Sequence, residues 1–256
     1  MFTKAIVRPP GPNFGLGLTT ANLGEPVYER ALAQHSEYCA ALKRCGLSLI
    51  HLEPDARYPD GTFVEDTAVL TRSGAILARP GAEFREGEVE AVRTALASYF
   101  SSSSTIEPPG TLDGGDICEA GNHFFIGISL RTNPAAAEQL AELLAKDDYT
   151  SSTVDVRDLK NILHLKSGLT ALGDNRLVVI AELAGRGEFA GYDLVKVPEG
   201  EEYAANCVRI NEYVLVAAGH HQFAKSLHRL GYQTIELEIS EFQKMDGGLS
   251  CLSLRF

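Results

Sequence analysis

Short runs of alternating apolar and polar residues recur along the chain, with helical patterns between them. Such runs, bounded by Gly, Asn or Asp, predict β-hairpins that turn near residues 74, 121, 174 and 211. Apolar positions spaced three or four apart predict helices. The predicted helices are Val27–Cys45, Glu86–Phe100, Asn133–Lys146 and Gln222–Leu230. Further strands are predicted at Ala5–Arg8, Leu47–Leu52, Thr234–Leu237 and the last residues of the chain. Ser101–Ser104 is expected to be a short link.

The predicted hairpins form a repeat. They follow one another at intervals of 37 to 53 residues, and a helix and another strand accompany each one. A repeat of this length predicts a solenoid or a closed, propeller-like ring of α/β units. Asp-Gly precedes three of the units, at Asp60, Asp113 and Asp246. Asp-Gly is also a common turn signal. Three occurrences beside other reactive residue types nevertheless favour convergence of these acids at one end of the ring.

The composition excludes several classes of partner. The net charge is −11 and no basic run occurs, which argues against nucleic acid and anionic membranes and suits a cationic small molecule. The N-terminus lacks a signal-peptide pattern, and no apolar run is long enough to span a bilayer. Five cysteines without CxxC spacing favour reduced thiols in the cytoplasm. We expect one cytoplasmic domain, residues 1–256.

Cys251 is a candidate nucleophile near the end of the chain. It follows Gly247-Gly248 and stands in an apolar, strand-like segment. Paired glycines allow a tight bend or a close backbone approach. A thiol presented by such a turn at the start of a buried strand suits nucleophilic chemistry. The alternative is that Cys251 is a small core residue, as many cysteines are.

Several carboxylates lie just before the first strands of the predicted units, at positions that we call unit heads. Asp60, Glu65 and Asp66 share one loop, and Asp113 and Asp116 flank a glycine pair. Grouped carboxylates repel one another and therefore need a shared cation. A metal ion is the second choice, because the sequence lacks a His/Cys/Asp cluster at ligand spacing. A planar guanidinium, with five N–H donors in a fixed fork, suits two or three carboxylates.

One histidine and two arginines complete the candidate set. His164 is expected in a strand segment, where its apolar neighbours lie beside a unit head and not on a helix face, which favours catalysis over the more common structural role. Arg85 and Arg131 are by default solvated surface charges. Both follow predicted strands that point to the same end, so capture of a substrate carboxylate is the alternative.

Five segments carry a resemblance to a known family. They are Tyr58–Asp66, Gly110–Asp116, Leu163–Ser167, Ala204–Cys207 and Met245–Cys251. Together, and in this order, they resemble the dimethylarginine dimethylaminohydrolases, the small branch of the guanidino-group-modifying (pentein) superfamily. The resemblance runs from about Leu18 to Phe256. It implies a five-bladed α/β propeller with pseudo-fivefold ββαβ-type repeats, closed by the terminal strand onto the first unit.

The resemblance also implies catalytic roles. By motif position, Cys251 would be the nucleophile, His164 the general acid and base, and Asp113 the carboxylate that orients His164. Some bacterial members carry Glu where this chain has Asp113, which changes reach but keeps the role. Asp66 would hold the substrate guanidinium, with support from Glu65. No metal or organic cofactor is implied.

Further residues would bind the rest of the substrate. The resemblance places the α-amino group against Asp60 and the backbone of Leu18 and Met245. It assigns the α-carboxylate to Arg85 and Arg131. Two more candidates are Asp246, the third Asp-Gly acid, and Phe63, the apolar residue nearest in sequence for a methyl pocket.

The implied reaction hydrolyses Nω-methylated arginine to citrulline and a methylamine. The Cys251 thiolate attacks the guanidinium carbon, protonated His164 donates to the leaving amine, and water then releases citrulline from a covalent thiouronium. A dimethylated nitrogen has no N–H for Asp66 or Asp113, so it should point toward His164.

Two alternatives remain open. A sister enzyme such as arginine deiminase, agmatine deiminase or an amidinotransferase uses similar chemistry. Arginine deiminases generally carry an additional helical domain, for which 256 residues leave no room. Agmatine lacks the carboxylate that Arg85 and Arg131 would bind. The other alternative, a non-enzymatic binder of cationic amino acids, needs no thiol. The sequence is silent on oligomeric state, and a homodimer is compatible with it.

Overall fold

The computed structural model describes residues 1–160 and 162–256. Over these residues the chain forms fifteen short strands in five sheets, together with five helices. The strands β1 to β15 are Lys4–Val7, Ser48–His51, Ala68–Leu70, Ala75–Leu77, Ser103–Thr105, Ile117–Ala120, His123–Ile128, Thr150–Asp155, Leu169–Gly173, Arg176–Val179, Asp193–Lys196, Val208–Ile210, Tyr213–Ala217, Gln233–Leu237 and Leu254–Arg255. The helices α1 to α5 are Tyr28–Arg44, Val89–Leu96, Pro134–Ala145, His221–Arg229 and Ser240–Gln243.

All five sheets follow one plan. The middle strand of each pairs antiparallel with one neighbour and parallel with the other, as β4 does with β3 and β5. Antiparallel strands can be joined by a tight turn, whereas parallel strands need a crossover. Helices α1 to α4 supply four of these crossovers, and a 3₁₀ turn at Gly187–Phe189 lies in the fifth. The predicted repeat of hairpin, helix and strand is therefore present.

The chain divides into two compact units. Unit 1 comprises Met1–Glu65 and Cys207–Phe256, and unit 2 comprises Asp66–Asn206. Unit 1 contains the sheets β15-β1-β2 and β12-β13-β14. Unit 2 contains the sheets β3-β4-β5, β6-β7-β8 and β9-β10-β11.

In unit 1 the last strand completes the first repeat. Strand β15 pairs antiparallel with β1, with Ile6 opposite Leu254. Helix α1 then connects β1 to β2. Its buried face includes Tyr38 and Leu42, whose spacing of four places both side chains on one side of the helix. The helix ends before Gly46, whose φ of +92° is readily adopted by glycine.

In unit 2 the core lies under helix α3. The helix begins where the Asn133 side chain accepts a hydrogen bond from the Ala136 N–H, and Pro134 occupies its first position. Leu140 and Leu144 are fully buried among apolar residues of β3, β4, β6 and β7, such as Ile126. Full burial of a side chain of this size contributes about 1.5–3 kcal/mol.

Three sequence-based expectations about local structure are wrong. The helix expected at Glu86–Phe100 is shorter, because Glu83–Glu88 forms a 3₁₀ segment before α2. The expected serine link contains strand β5, which pairs in parallel with β4. His164 precedes a 3₁₀ turn, Leu165–Ser167, instead of lying in a strand. In the part of the chain that the structure describes, the helices are too short or too polar to cross a lipid bilayer.

Candidate active site

The predicted catalytic side chains share a structural position. Each lies in, or immediately before, a 3₁₀ turn that leads into a strand pairing antiparallel with the middle strand of its sheet. The residues and turns are Asp66 in Val64–Thr67, Asp113 before Gly114–Asp116, His164 before Leu165–Ser167 and Cys251 in Ser250–Leu252. These positions are the unit heads that the sequence pattern indicates.

Unit 2 brings together His164 and Asp113 as a buried pair. His164 Nε2 lies 3.1 Å from Asp113 Oδ2. The second oxygen of Asp113 accepts a hydrogen bond of 2.8 Å from the Gly81 N–H. The Asp113 N–H in turn donates to Thr132 Oγ1 at 3.1 Å. Gly81 therefore fixes the Asp113 carboxylate, Thr132 fixes the Asp113 backbone, and the carboxylate holds one nitrogen of the imidazole ring.

The electrostatic surroundings favour protonated His164. Burial by itself lowers the pKa of His164, but the carboxylates of Asp66 and Asp116 and the hydrogen bond to Asp113 raise that pKa to about 9. Burial of Asp113 would raise its pKa, yet the bond from His164 and the nearby Arg85 hold it below its usual value. Both shifts describe an imidazolium–carboxylate ion pair.

Asp66 and Arg85 form a second buried pair beside the first. Arg85 Nη1 lies 2.9 Å from Asp66 Oδ2 and 4.0 Å from Asp113 Oδ2. Arg85 also binds Glu88 through Nε and Nη2, at 2.9 to 3.2 Å. The default expectation that Arg85 is a solvated surface charge is wrong, because only 4% of the residue is exposed. Three carboxylates surround it, so its charge is compensated inside the protein.

Arg131 lies on the loop between β7 and α3. Its N–H donates to Ser129 Oγ at 2.9 Å, and the residue is partly buried. Gly81 packs closely on its backbone, since a Cβ at Gly81 would lie 2.3 Å from the Arg131 carbonyl oxygen. Gly81 therefore contacts the Arg131 loop and also donates to Asp113. The sequence gives no signal for this double role of Gly81.

Three of these side chains could also hold a cation. Asp66, Asp113 and His164 each offer one ligand atom, and these atoms lie within 4.8 Å of one another. The Arg85 guanidinium already lies within 4.0 Å of two of these residues, Asp66 and Asp113. The acidic cluster therefore has the geometry to bind a planar guanidinium, the cation that the sequence favours over a metal.

Unit 1 carries Cys251 on a well-supported turn. The Cys251 N–H donates to the Gly248 carbonyl at 3.2 Å, and the residue is 9% exposed. Next to it, Ser250 Oγ donates to Glu65 Oε2 at 2.6 Å. Glu65 Oε1 binds Arg255 Nη2 at 2.7 Å. Glu65 thus supports the turn that presents the thiol, a contact that the sequence did not predict.

Unit 1 also brings together the residues expected at the α-amino group. Asp60 accepts hydrogen bonds from the Leu18 N–H at 3.1 and 3.2 Å. A Cβ at Gly17 would lie 2.3 Å from Asp60 Oδ1 and 3.2 Å from Met245 Cε. Leu18, Asp60 and Met245 therefore meet around Gly17, where only glycine fits.

The two remaining candidates in unit 1, Asp246 and Phe63, contact other residues of the same unit. Asp246 Oδ2 accepts hydrogen bonds from the N–H and hydroxyl of Thr20, which fixes the loop after Gly17. Phe63 packs its ring against Phe14 and Phe242. It also lies against Gly247, where a Cβ would come within 2.3 Å of the ring.

Comparison with known proteins places the chain among enzymes that act on guanidino compounds. The arginine deiminase family profile matches residues 58–190. The chain is 42% identical over 257 residues to N(G),N(G)-dimethylarginine dimethylaminohydrolase of Pseudomonas aeruginosa, covering 100% of both proteins. It is 35% identical over 254 residues to the enzyme of the same name from Streptomyces coelicolor, covering 98% of this chain and 96% of that protein.

A solved structure shares the fold. A cysteine-to-serine variant of the Pseudomonas aeruginosa enzyme, complexed with citrulline, matches with a TM-score of 0.96 at 42% identity, covering 100% of both chains. The predicted fold class, a five-bladed α/β propeller with ββαβ-type repeats, is confirmed by this match and by the five three-stranded sheets.

Proposed function

Because the chain belongs to the dimethylarginine dimethylaminohydrolase family, we propose that it hydrolyses Nω-methylated L-arginine to L-citrulline and dimethylamine or methylamine. The family resemblance found in the sequence is confirmed by the full-length identity to two enzymes of that name. The observation that carries the proposal is the buried His164–Asp113 pair. A protonated imidazole fixed by a carboxylate is the acid that a departing amine requires.

Cys251 supplies the nucleophile. Its thiolate attacks the guanidinium carbon, and the C–S bond forms as the C–N bond to the methylated nitrogen breaks. His164 gives its proton to that nitrogen, so dimethylamine leaves as the neutral amine. Because Nε2 of His164 is engaged by Asp113, Nδ1 is the nitrogen that transfers the proton. A positively charged thiouronium remains on Cys251.

The second half of the reaction regenerates the enzyme. Neutral His164 takes a proton from water, and the resulting hydroxide attacks the thiouronium carbon. The C–S bond then breaks, which returns the thiolate of Cys251 and protonated His164. The second proton of the water passes to the released amine in solution. Asp66 and Asp113 stabilise the positive charge on the guanidinium carbon through both halves.

The substrate's α-amino and α-carboxylate groups are held by the remaining candidates. Asp60, with Leu18 and Met245, binds the ammonium group, while Asp246 holds the adjoining loop through Thr20. Arg85 and Arg131 bind the carboxylate, and for Arg85 this requires that the substrate displaces part of its ion pairing with Asp66 and Glu88. Phe63 lies toward the methyl groups. Glu65 supports the Cys251 turn.

Arg131→Ala tests the carboxylate assignment. A charged hydrogen bond contributes about 1.5–3 kcal/mol, so KM for asymmetric dimethylarginine should rise roughly ten- to hundred-fold. KM for dimethylagmatine, which lacks the carboxylate, should not change. Arg79→Ala is the control, since Arg79 pairs with Glu86 at 2.8 Å on a partly exposed surface. An equal effect on both substrates would remove Arg131 from the binding site.

We also propose a cellular location and a class of partner for the enzyme. The odd number of cysteines and the acidic composition support a cytoplasmic enzyme with reduced thiols. We expect a small guanidino substrate, and no nucleic acid, membrane or cofactor as a partner. A homodimer is compatible with this account, and light scattering would determine the oligomeric state.

Deimination of free arginine is the second candidate, because the arginine deiminase profile matches residues 58–190. The experiment is to incubate the protein separately with asymmetric dimethylarginine and arginine, and to quantify citrulline, dimethylamine and ammonia. We expect dimethylamine at the higher kcat/KM, with discrimination of roughly tens-fold from two buried methyl groups. A parallel reaction with EDTA should run at the same rate. Faster ammonia release would establish the deiminase, and loss of activity in EDTA would establish a metal.

A further inference from the structure

Asp116 is a fully buried carboxylate that has no part in the reaction described above. Its Oδ2 accepts hydrogen bonds from Ser129 Oγ and Thr132 Oγ1, each of 2.7 Å. Its Oδ1 accepts a hydrogen bond of 2.9 Å from the N–H of Leu165. Three donors from two different loops therefore meet on one side chain.

These donors belong to the segments that carry the proposed active-site residues. The Leu165 N–H is part of the peptide group that follows His164. Ser129 Oγ also accepts the N–H of Arg131, at 2.9 Å. Thr132 Oγ1 also accepts the N–H of Asp113, at 3.1 Å. Through these contacts Asp116 is one hydrogen bond from the His164 backbone and two from the backbones of Arg131 and Asp113.

The neighbouring strand leaves space for this carboxylate. A Cβ at Gly127, in the interior of β7, would lie 2.8 Å from Asp116 Oδ1 and 2.7 Å from Leu165 Cβ. Glycine weakens the interior of a strand because it adds backbone entropy to the unfolded chain and buries no side chain. A glycine at this position is explained by the close approach of Asp116 and Leu165.

The charge on Asp116 is costly in this position. Burial raises the pKa of Asp116 to about 6, although His164 and the three hydrogen bonds oppose the shift. Asparagine would fill the same volume without a charge. The charged groups that act on His164 are the carboxylates of Asp66, Asp113 and Asp116, with Arg85 beside the first two. The charge of Asp116 thus adds to the field that keeps His164 protonated.

We propose that Asp116 is a positioning residue for the proposed reaction: from one buried carboxylate it fixes the backbone that carries His164 and the loop that carries Arg131. This inference rests on the proposed function. It assigns Asp116 no contact with substrate, and its effect on turnover passes through His164 and Arg131.

The first test compares Asp116→Asn with Asp147→Asn. Asp147 Oδ2 also accepts from two hydroxyls, those of Thr71 and Ser73, and it lies in the same unit. We expect Asp116→Asn to lower kcat for asymmetric dimethylarginine roughly ten- to hundred-fold, as small displacements of catalytic groups do. Asp147→Asn should leave kcat unchanged. Equal kcat values for the two variants would overturn the proposal.

The second test uses Thr132, so that it remains decisive even if Asp116→Asn does not fold. Thr132→Ser keeps the hydroxyl that joins Asp113 to Asp116, whereas Thr132→Val removes it and keeps the shape. We expect Thr132→Val to lower kcat and raise KM, and Thr132→Ser to restore both values to within about two-fold of wild type. Identical kinetics for the two variants would contradict the proposal.

The third measurement does not depend on the substrate. An NMR titration of the His164 imidazole should give a lower pKa in Asp116→Asn than in wild type, and an unchanged pKa in Asp147→Asn. If wild type released no dimethylamine, the proposed function would fail, while this titration would still test the Asp116 contact. An unchanged His164 pKa in Asp116→Asn would remove the electrostatic part of the inference.

Discussion

Gly115 shows how tightly the residues around His164 are packed. A Cβ at Gly115 would lie 2.7 Å from His164 Nδ1 and 2.9 Å from Asp66 Oδ1. The Gly115 N–H also donates to that same oxygen of Asp66, at 2.9 Å. The glycine is therefore required because the imidazole ring and a carboxylate both approach its backbone closely.

We expect Gly115→Ala to lower kcat by about 10²-fold, because the added methyl group displaces the imidazole from its position. The measurement is steady-state kinetics with asymmetric dimethylarginine. Gly185→Ala is the matched control, since a Cβ at Gly185 meets nothing within 4 Å. Equal kcat values for the two variants would show that the methyl group does not disturb His164.

The ion pair of His164 predicts how stability depends on pH. The folded-state pKa of His164, about 9, lies above the ordinary value of 6.5. The stabilisation from protonated His164 is therefore complete below pH 6.5 and is lost as the pH rises through 9. We expect urea unfolding to show wild type more stable than His164→Gln at about pH 6, with a smaller difference at about pH 10. A difference that does not change with pH would contradict the ion pair.

Residue types in the sequence indicated the candidate site residues, but they did not predict the contacts between those residues. His164 and Asp113 are 51 positions apart in the chain, and their contact follows from the repeat that places both at unit heads. The burial of Arg85 could not be predicted, because an isolated arginine is typical of a surface. The signal that could have revealed it is Glu88, three residues later, with which Arg85 pairs.

At the scale of elements, helix α3 depends on its N-terminal cap. Asn133 Oδ1 accepts from the N–H of Ala136 at 2.9 Å and from that of Thr111 at 3.2 Å. We expect Asn133→Ala to lower the free energy of unfolding by about 1 kcal/mol, as loss of such a cap typically does. Asn133→Asp keeps the acceptor and should retain most of the stability. Urea unfolding measures both variants, and equal losses would show that the acceptor is not the source.

The elements that sequence patterns missed lack a local signal. Strand β5 is Ser103–Thr105, a polar segment that shows no alternation, and it exists because it pairs with β4 some thirty residues earlier. The start of the predicted helix at Glu86 is displaced because Glu83–Glu88 forms a 3₁₀ segment, in which Arg85 bonds to Asp66 and Glu88. The hairpins were predicted well, since their turns require only local chemistry, as at Asp174-Asn175, where both residues have positive φ.

At the scale of the whole molecule, the spacing of four hairpins indicated a repeat, but neither the number of five units nor the closing strand was visible in that spacing; both were implied by the family resemblance. Four hairpins are contiguous in sequence, but the first sheet joins β1 to β15, which lie at opposite ends of the chain. A pattern confined to neighbouring residues cannot predict that pairing. The family resemblance supplied it, and the pairing of Ile6 with Leu254 confirms it.

The prediction of one domain over residues 1–256 can be tested by unfolding. A single domain should unfold in one cooperative transition, with a calorimetric enthalpy equal to the van't Hoff enthalpy. We expect one transition by calorimetry, coincident with the loss of circular dichroism and of activity. Two separate transitions would show that units 1 and 2 unfold as independent domains.

The most direct measurement of the central claim is the mass of the enzyme during turnover. We expect acid-quenched protein, mixed with asymmetric dimethylarginine, to gain the mass of an amidino-ornithine group on the peptide that contains Cys251. Cys251→Ser should show no adduct and should lose at least about 10³-fold in kcat, since a serine hydroxyl ionises far less readily. Cys39→Ser, a substitution of another buried cysteine, should form the adduct as wild type does. Citrulline and dimethylamine formed by Cys251→Ser at a rate near that of wild type would contradict the account.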